Sequence, residues 1–529
     1  MEVKEILKTS FCGRTQNYIF LKYEDKKSSS GNFGSIKTVV KSLKMTAYDL
    51  NINKVFSFEI GEFQKNYKLV TYKFIVLYDK IYLIYWEKDE NTYTLYGNVY
   101  DENGQILTKR NKLLEINYKN EKYQDFYSIN SIKYLVNEKI KNGKFVILIE
   151  RFKDKGEIEL EYNIFDNELN RLFSGKDISP VKLKQIEGYW GKKSYPEPAI
   201  LMKNKVINIF EGKGVSVGEF LLSKDDNIIT VYQADSSIIT SVLNTKTKKI
   251  LTDEIKLNNL TIKDSKSIIN DNNELIITAL IYDPNRKPKN CKYFYPNCLY
   301  YAKVDINTLE LTSSKKLYFN EQMLNKLFSN NYTRFNAYGS DLKECGNSIG
   351  NFNFLKVICT PDDKLFLLLK HSVSYYKSYS DGKGTYYVYE LLSYLTLLID
   401  SENIINADAT DINKSFTKIY IPCDLSFHTD NKFALFYDKD KYDSKIYYKI
   451  YDLKSGEIIE SSSIPKKIKY INNSTNNNSQ IYSCYFNEAK NMLFLISSDK
   501  NYPLKTCCNE LIKVFNPGYI NLGTIRFID

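Results

Sequence analysis

The sequence predicts an all-β chain, a single β-propeller of about eight four-stranded blades (seven is the alternative count) spanning residues 1–529. Three observations carry this. A hairpin with Asp or Asn at its turn recurs along the chain, two further strand-like segments precede each hairpin, and helical periodicity is almost absent.

The hairpin turns fall at Asp49, Asp101, Asp166, Asn244, Asp305, Asp400, Asp452 and Asn516. Their spacing averages about 67 residues, longer than a WD repeat of about 40, so the blades carry extended loops. Asp and Asn suit these turns because the side chain accepts from backbone amides two residues on and tolerates the left-handed conformation. Gly104 and Gly456 supply the same freedom in two of them.

Ahead of the third turn, residues 144–150 read KFVILIE, an unbroken apolar run suited to a middle strand buried on both faces. The next strand alternates, with Ile158, Leu160, Tyr162 and Ile164 on one side and Glu157, Glu159, Glu161 and Asn163 on the other. Similar pairs are LIITALIY before CLYYAKVD, FALFY before KIYYKIYD, and MLFLISS before ELIKVFN. Sheets this small must cover their second face with a neighbour, which favours repetition of blades. Two β-sandwich domains are the rival architecture. The one convincing helix is short, around residues 321–327.

Three stretches exceed the blade plan, near residues 179–214, 320–351 and 372–395. The first carries Tyr189, Trp190 and Tyr195. The last reads as an extended hairpin with its tip at Asp381, Gly382, Lys383 and Gly384, and it carries Tyr375, Tyr376, Tyr379, Tyr386, Tyr387 and Tyr389. Long excursions from a rigid scaffold are where binding surfaces tend to sit.

Composition narrows the function classes. Tyrosine stands at 45 residues against 2 Trp and 5 Met, and it suits a pleated surface packed on one side and wet on the other. The net charge of +11 comes from lysine spread along the chain, a solubility device that also guards strand edges. The densest basic run is Arg286, Lys287, Lys289 and Lys292 in one loop, too little for a nucleic-acid face. No window approaches the ~18 consecutive apolar residues of a membrane span, and residues 1–20 lack the apolar core of a signal peptide. The chain is therefore read as intracellular or as numbered from a processed form.

The nine cysteines include no CxxC pair and no Cys/His array, so no metal site is expected. Cys291 and Cys298 flank an aromatic segment and could close a small loop by a disulfide; two separate free thiols are the other reading. Cys507 and Cys508 are adjacent, which disfavours a bond between them in a strand.

The phrases NVYDENGQIL followed by YNIFDNELNRLFSGKDI, KSIINDNNELIITALIYD leading to YAKVDINTLEL, and SYYKSYSDGKGTYYVYELLSYLTLLID span most of the chain. In these phrases the chain resembles a group of largely uncharacterised, often secreted or surface-exposed β-propeller-like proteins of Bacteroidota. The resemblance implies the propeller fold and export to the cell surface, and offers no catalytic motif. Localisation stays open between that implication and the N-terminus.

Chemistry is sparse. The two histidines, His371 and His428, lie far apart and no GxSxG elbow is present, so both read as structural or surface residues. Neither a Walker loop nor a strand-linked GxGxxG occurs, and no cofactor is expected. Asp438, Asp440 and Asp443 lack the turn glycine and distal glutamate of a calcium loop. The reading that remains is a non-enzymatic binding or scaffold protein presenting aromatic loops (Tyr189, Trp190, Tyr195, Tyr375, Tyr376, Tyr379, Tyr386, Tyr387) to a protein or glycan partner. Pairing of these rings across a hairpin is the plain structural alternative. A propeller glycoside hydrolase or polysaccharide lyase with paired carboxylates is the enzymatic one. The sequence leaves the ligand and the oligomeric state open.

Overall fold

The computed structural model describes residues 5–15, 17–30, 36–49, 54–62, 68–77, 79–117, 129–136, 143–182, 186–187, 193–194, 218–286, 295–321, 323–324, 349, 352–378, 385–417, 425–428, 431–437, 445–465, 481–487, 492–497 and 521–526. Among them strands form seven four-stranded antiparallel sheets, one three-stranded sheet, and a short ladder of Ile186–Glu187 with Lys193–Ser194. In each four-stranded sheet the strands lie side by side in chain order. The fold is all-β and of the β-propeller type.

The first sheet comprises Glu5–Arg14, Ile19–Ser30, Ile36–Tyr48 and Lys54–Glu62, and the second Lys68–Leu77, Lys80–Lys88, Thr92–Asp101 and Ile106–Asn117. The third follows with Ile129–Val136, Phe145–Phe152, Ile158–Phe165 and Arg171–Ile178, and the fourth with Gly218–Leu222, Ile228–Gln233, Ser237–Leu243 and Ile250–Lys256. The fifth has Thr261–Ile269, Glu274–Tyr282, Cys298–Asp305 and Leu311–Tyr318. Phe352–Cys359, Leu365–Ser378, Thr385–Ile399 and Ile404–Thr417 make the sixth, and Leu425–His428, Lys432–Tyr437, Lys445–Asp452 and Ile458–Pro465 the seventh. The last consists of Ile481–Asn487, Met492–Ser497 and Asn521–Arg526. The chain divides into two compact units, Met1–Ile229 with Asn244–Lys248, and Thr230–Leu243 with Lys249–Asp529.

In the second to sixth sheets the second strand supplies the core, because it is apolar on both faces. Within unit 1, Ile81, Leu83 and Tyr85 pack against Phe20, Leu43 and Met45 of the first sheet. Their alternates Tyr82, Ile84 and Trp86 pack against Ile132, Phe145 and Ile147 of the third. Phe145–Phe152 is buried through residue 151, as the KFVILIE run predicts. Unit 2 repeats the device: Leu365, Leu367 and Leu369 face the fifth sheet, and Phe366 and Leu368 the seventh. The first strands of neighbouring sheets approach one another, Glu5–Arg14 beside Lys68–Leu77 and Thr261–Ile269 beside Phe352–Cys359. Fourth strands lie at the exposed edge, Ile250–Lys256 almost entirely so. The second and sixth sheets thus each bury two faces against neighbours of their own kind, which is what propeller blades require.

The recurrent turns from Asp49 to Asp452 each join a third strand to a fourth. Oδ1 of Asp101 accepts from the amides of Asn103 at 2.9 Å and Gln105 at 2.8 Å. Asp166, Asn244, Asp305, Asp400 and Asp452 repeat this arrangement within their own turns. Gly104 and Gly456 hold φ of 84° and 72° in these turns, as their permissiveness predicts. The turn at Asn516 lies outside the described residues. The helix expected near residue 321 is present at its start, where Asn320 caps it by accepting from the Met323 amide at 2.7 Å.

The alternating strand Ile158–Phe165 keeps the predicted faces, with one difference. Glu159 and Glu161 are partly exposed, whereas Asn163 is buried. The fourth strand Arg171–Ile178 runs beside it and covers Asn163, which pairs in register with Ser174.

Candidate functional site

The hairpin at residues 372–395 is built by the sixth sheet. Its second and third strands, Leu365–Ser378 and Thr385–Ile399, stay in register far past the end of the first strand, which pairs only as far as His371. Residues 372–378 run on for about 23 Å of strand beyond that point. A two-stranded ribbon is marginal alone. Here the fourth strand accompanies it part of the way, pairing Val388 with Thr417 and Leu391 with Lys414.

The backbone register brings five of the predicted tyrosines together. Tyr376 stands opposite Tyr387 and Tyr375 opposite Val388, while Tyr386 faces Lys377 and Tyr389 faces Ser374. Because alternate residues of a strand share a face, Tyr376, Tyr387 and Tyr389 occupy one face of the ladder and Tyr375 and Tyr386 the other. The tip from Asp381 to Gly384, with Tyr379, lies outside the described residues, as do Tyr189, Trp190 and Tyr195. Asp438, Asp440, Asp443 and Cys291 lie outside them too.

At the hairpin's base the ladder passes into the core. His371 is 2% exposed, directly opposite Phe352 on one strand and Ser393 on the other. The imidazole lies 5.2 Å from the Phe352 ring, and burial lowers its pKa to about 4, so the ring is neutral. Ser393 Oγ is buried with no hydrogen-bond partner among the described residues. His428 is exposed on the seventh sheet. Cys298 carries a free thiol, and burial, with Asp283 beside it, pushes its pKa up to about 12.

A second feature, which sequence reading missed, is a groove of about 480 Å³ between the fourth strand of the second sheet and the outer strands of the third. Lys112, Leu114 and Glu115 line one side; Glu161, Asn163, Arg171, Ser174, Gly175 and Lys176 line the other. The third sheet's turn docks on the second sheet and sets this spacing: Asn111 donates to the Leu169 carbonyl at 2.6 Å, and Thr108 to that of Glu168 at 3.1 Å. Gly175 lies under the Tyr162 ring, where a Cβ would come within 2.6 Å of it. A glycine inside a strand is the one local signal for this site.

Charge in the groove is unevenly matched. Glu161 is held by Arg151 at 3.1 Å and by Lys176 at 3.8 Å, and Glu159 by Lys176 at 3.3 Å and Lys153 at 3.4 Å. Lys112 pairs with Glu115. Arg171 donates to the Leu113 carbonyl and lies 5.6 Å from the Phe165 ring, and it has no carboxylate partner among the described residues.

Among the described residues no cluster of three metal-binding side chains occurs, and no helix is long and apolar enough to cross a membrane. No family model and no curated protein matches the chain. Solved structures similar to it include a europium-containing methanol dehydrogenase, at 10% identity and TM-score 0.38 over 94% of this chain and 84% of that one. The Nup133 β-propeller domain of Vanderwaltozyma polyspora is similar at 10% identity and TM-score 0.34, over 86% of this chain and all of that one. The WD40 domain of SCAP from fission yeast aligns at 10% identity and TM-score 0.30, over 87% and 89%. At such identity and scores these likenesses carry no argument about activity.

Proposed function

We propose that the chain is a non-enzymatic binding or scaffold protein whose sixth sheet presents an aromatic hairpin to a protein or glycan partner. One observation carries this reading: the ladder at residues 372–378 and 385–391 leaves the blade plan, and five tyrosines are in register on it. A blade needs no such extension for its own packing, since the apolar positions from Leu365 to Leu369 already bury both faces. Tyrosine offers large contact area for little rotamer entropy, and its hydroxyl satisfies polar partners. The carboxylates lining the described groove, Glu115 and Glu161, are each held by a cation, which counts against an acid/base pair there. Export to the cell surface, which the Bacteroidota resemblance implies, forms part of the proposal.

A printed glycan array and a random-peptide phage library tell the two partner classes apart. Tyr375→Ala, Tyr376→Ala and Tyr387→Ala together are expected to weaken capture of the selected ligand by about tenfold or more, as loss of aromatic anchors does. The thermal midpoint should stay unchanged. Capture at parental strength by this triple variant would remove the hairpin from the proposal.

A further inference from the structure

We propose that the groove between the second and third sheets is a binding site for a hydroxylated carboxylate of the uronic-acid type. The inference is independent of the hairpin and rests on side chains that no strand pairing requires.

Arg171 is exposed, lines the groove, and makes its described polar contact with a backbone carbonyl alone. A guanidinium has five donors in a planar fork, and a carboxylate is the group that fits two of them at once. The neighbouring cations are engaged, Lys176 by Glu159 and Glu161 and Lys112 by Glu115. The lining therefore carries three cations against two carboxylates, and Arg171 is the unmatched charge among the described residues.

Hydroxyl recognition comes from the other wall. Asn163 is 3% exposed yet lines the groove, and its described side-chain contact is one long hydrogen bond to Glu161 at 3.5 Å. Distance makes that contact weak and leaves most of the amide's capacity unused. A buried amide in that condition is expected to find a partner, and ligand hydroxyls supply both donor and acceptor. Ser174, in register with Asn163 on the adjoining strand, adds an exposed hydroxyl. Leu114 offers an apolar surface for C–H groups. The volume falls in the ~300–1,000 Å³ range of small-molecule sites. Inorganic phosphate would accept from Arg171, Asn163 and Ser174 but has no C–H face for Leu114, which is why a hydroxylated carboxylate fits better.

Calorimetric titration of the full chain tests this with D-glucuronate, D-glucuronamide, D-glucose and inorganic phosphate. Glucuronate is expected to bind saturably, with each of the others about tenfold weaker or less, the loss expected when a charge-assisted fork is removed. Arg171→Gln should weaken glucuronate by a similar factor. Because that change also strips the Leu113 carbonyl of a donor, Ser174→Glu provides a second variant: it sits on an exposed edge, leaves the core untouched, and repels a carboxylate. Tighter binding of an oligoglucuronate than of D-glucuronate would identify a polysaccharide as the source, and equal binding a free sugar acid. Glucuronate binding no tighter than glucuronamide or phosphate, or at parental strength in both variants, overturns the proposal.

Discussion

His371 is held as a neutral ring with Phe352 against it, its pKa lowered by burial from 6.5 to about 4. A depressed folded pKa means that the unfolded chain binds the extra proton first. Stability attributable to this residue is therefore complete above about pH 6.5, declines as pH falls through the window, and is fully lost below about pH 4. The size of the effect is roughly 3 kcal/mol at most. In thermal melts between pH 4 and 7 the midpoint of the parent should fall relative to that of His371→Phe as pH falls, because the variant lacks this loss; parallel curves would show that the ring is not buried uncharged. Cys298 makes a companion case. With its pKa pushed up to about 12 it holds almost no thiolate at neutral pH. Iodoacetamide is expected to leave it unmodified in the native chain and to alkylate it after denaturation without reductant. Failure to react even then would point to the disulfide with Cys291 that the spacing allows.

At the level of the turn, the repeat was legible because its chemistry is local. Asp101, Asp166, Asp305, Asp400 and Asp452 announce themselves by type and spacing, and each caps its own turn. A second recurrent turn escaped notice. Ser223, Asn270 and Thr360 each open a turn between first and second strands and accept, through the side chain, from the amide four residues on. Ser, Asn and Thr share that capacity without sharing a letter, so the repeat was hidden. The hairpin at 372–395 was legible from alternation and a Gly-containing tip. The groove was not, because Lys112 and Arg171 meet only when one sheet lies on the next. The turns also predict a backbone effect: Lys248 holds φ of 61° while its ammonium lies 4.4 Å from the centre of the Phe173 ring. Lys248→Ala and Lys248→Gly both lose that contact, but only glycine relieves the left-handed strain. Urea unfolding should find the glycine variant about 1 kcal/mol more stable than the alanine variant, and equal midpoints would refute strain at this position.

For the molecule as a whole, the repeated sheet implies that what extends beyond a blade is separable from what builds it. The sixth sheet offers the sharpest case, since its core register ends where His371 stands opposite Ser393 and everything from 372 to 392 lies past that pair. An antiparallel pair in this position can be closed by a two-residue turn, so replacing residues 372–392 by Asn-Gly reconnects the two core strands without changing their register. The cost falls on the end of Ile404–Thr417, where Lys414 to Thr417 lose the strand they pair with. The buried faces of Leu365 to Leu369 and Leu395 to Ile399 keep their neighbours in the fifth and seventh sheets. Circular dichroism should therefore report the same β signature and one cooperative melting transition, while capture by the hairpin disappears. A shortened chain that fails to fold would instead make the ladder part of the scaffold, its tyrosines packing for stability and its binding role forfeited.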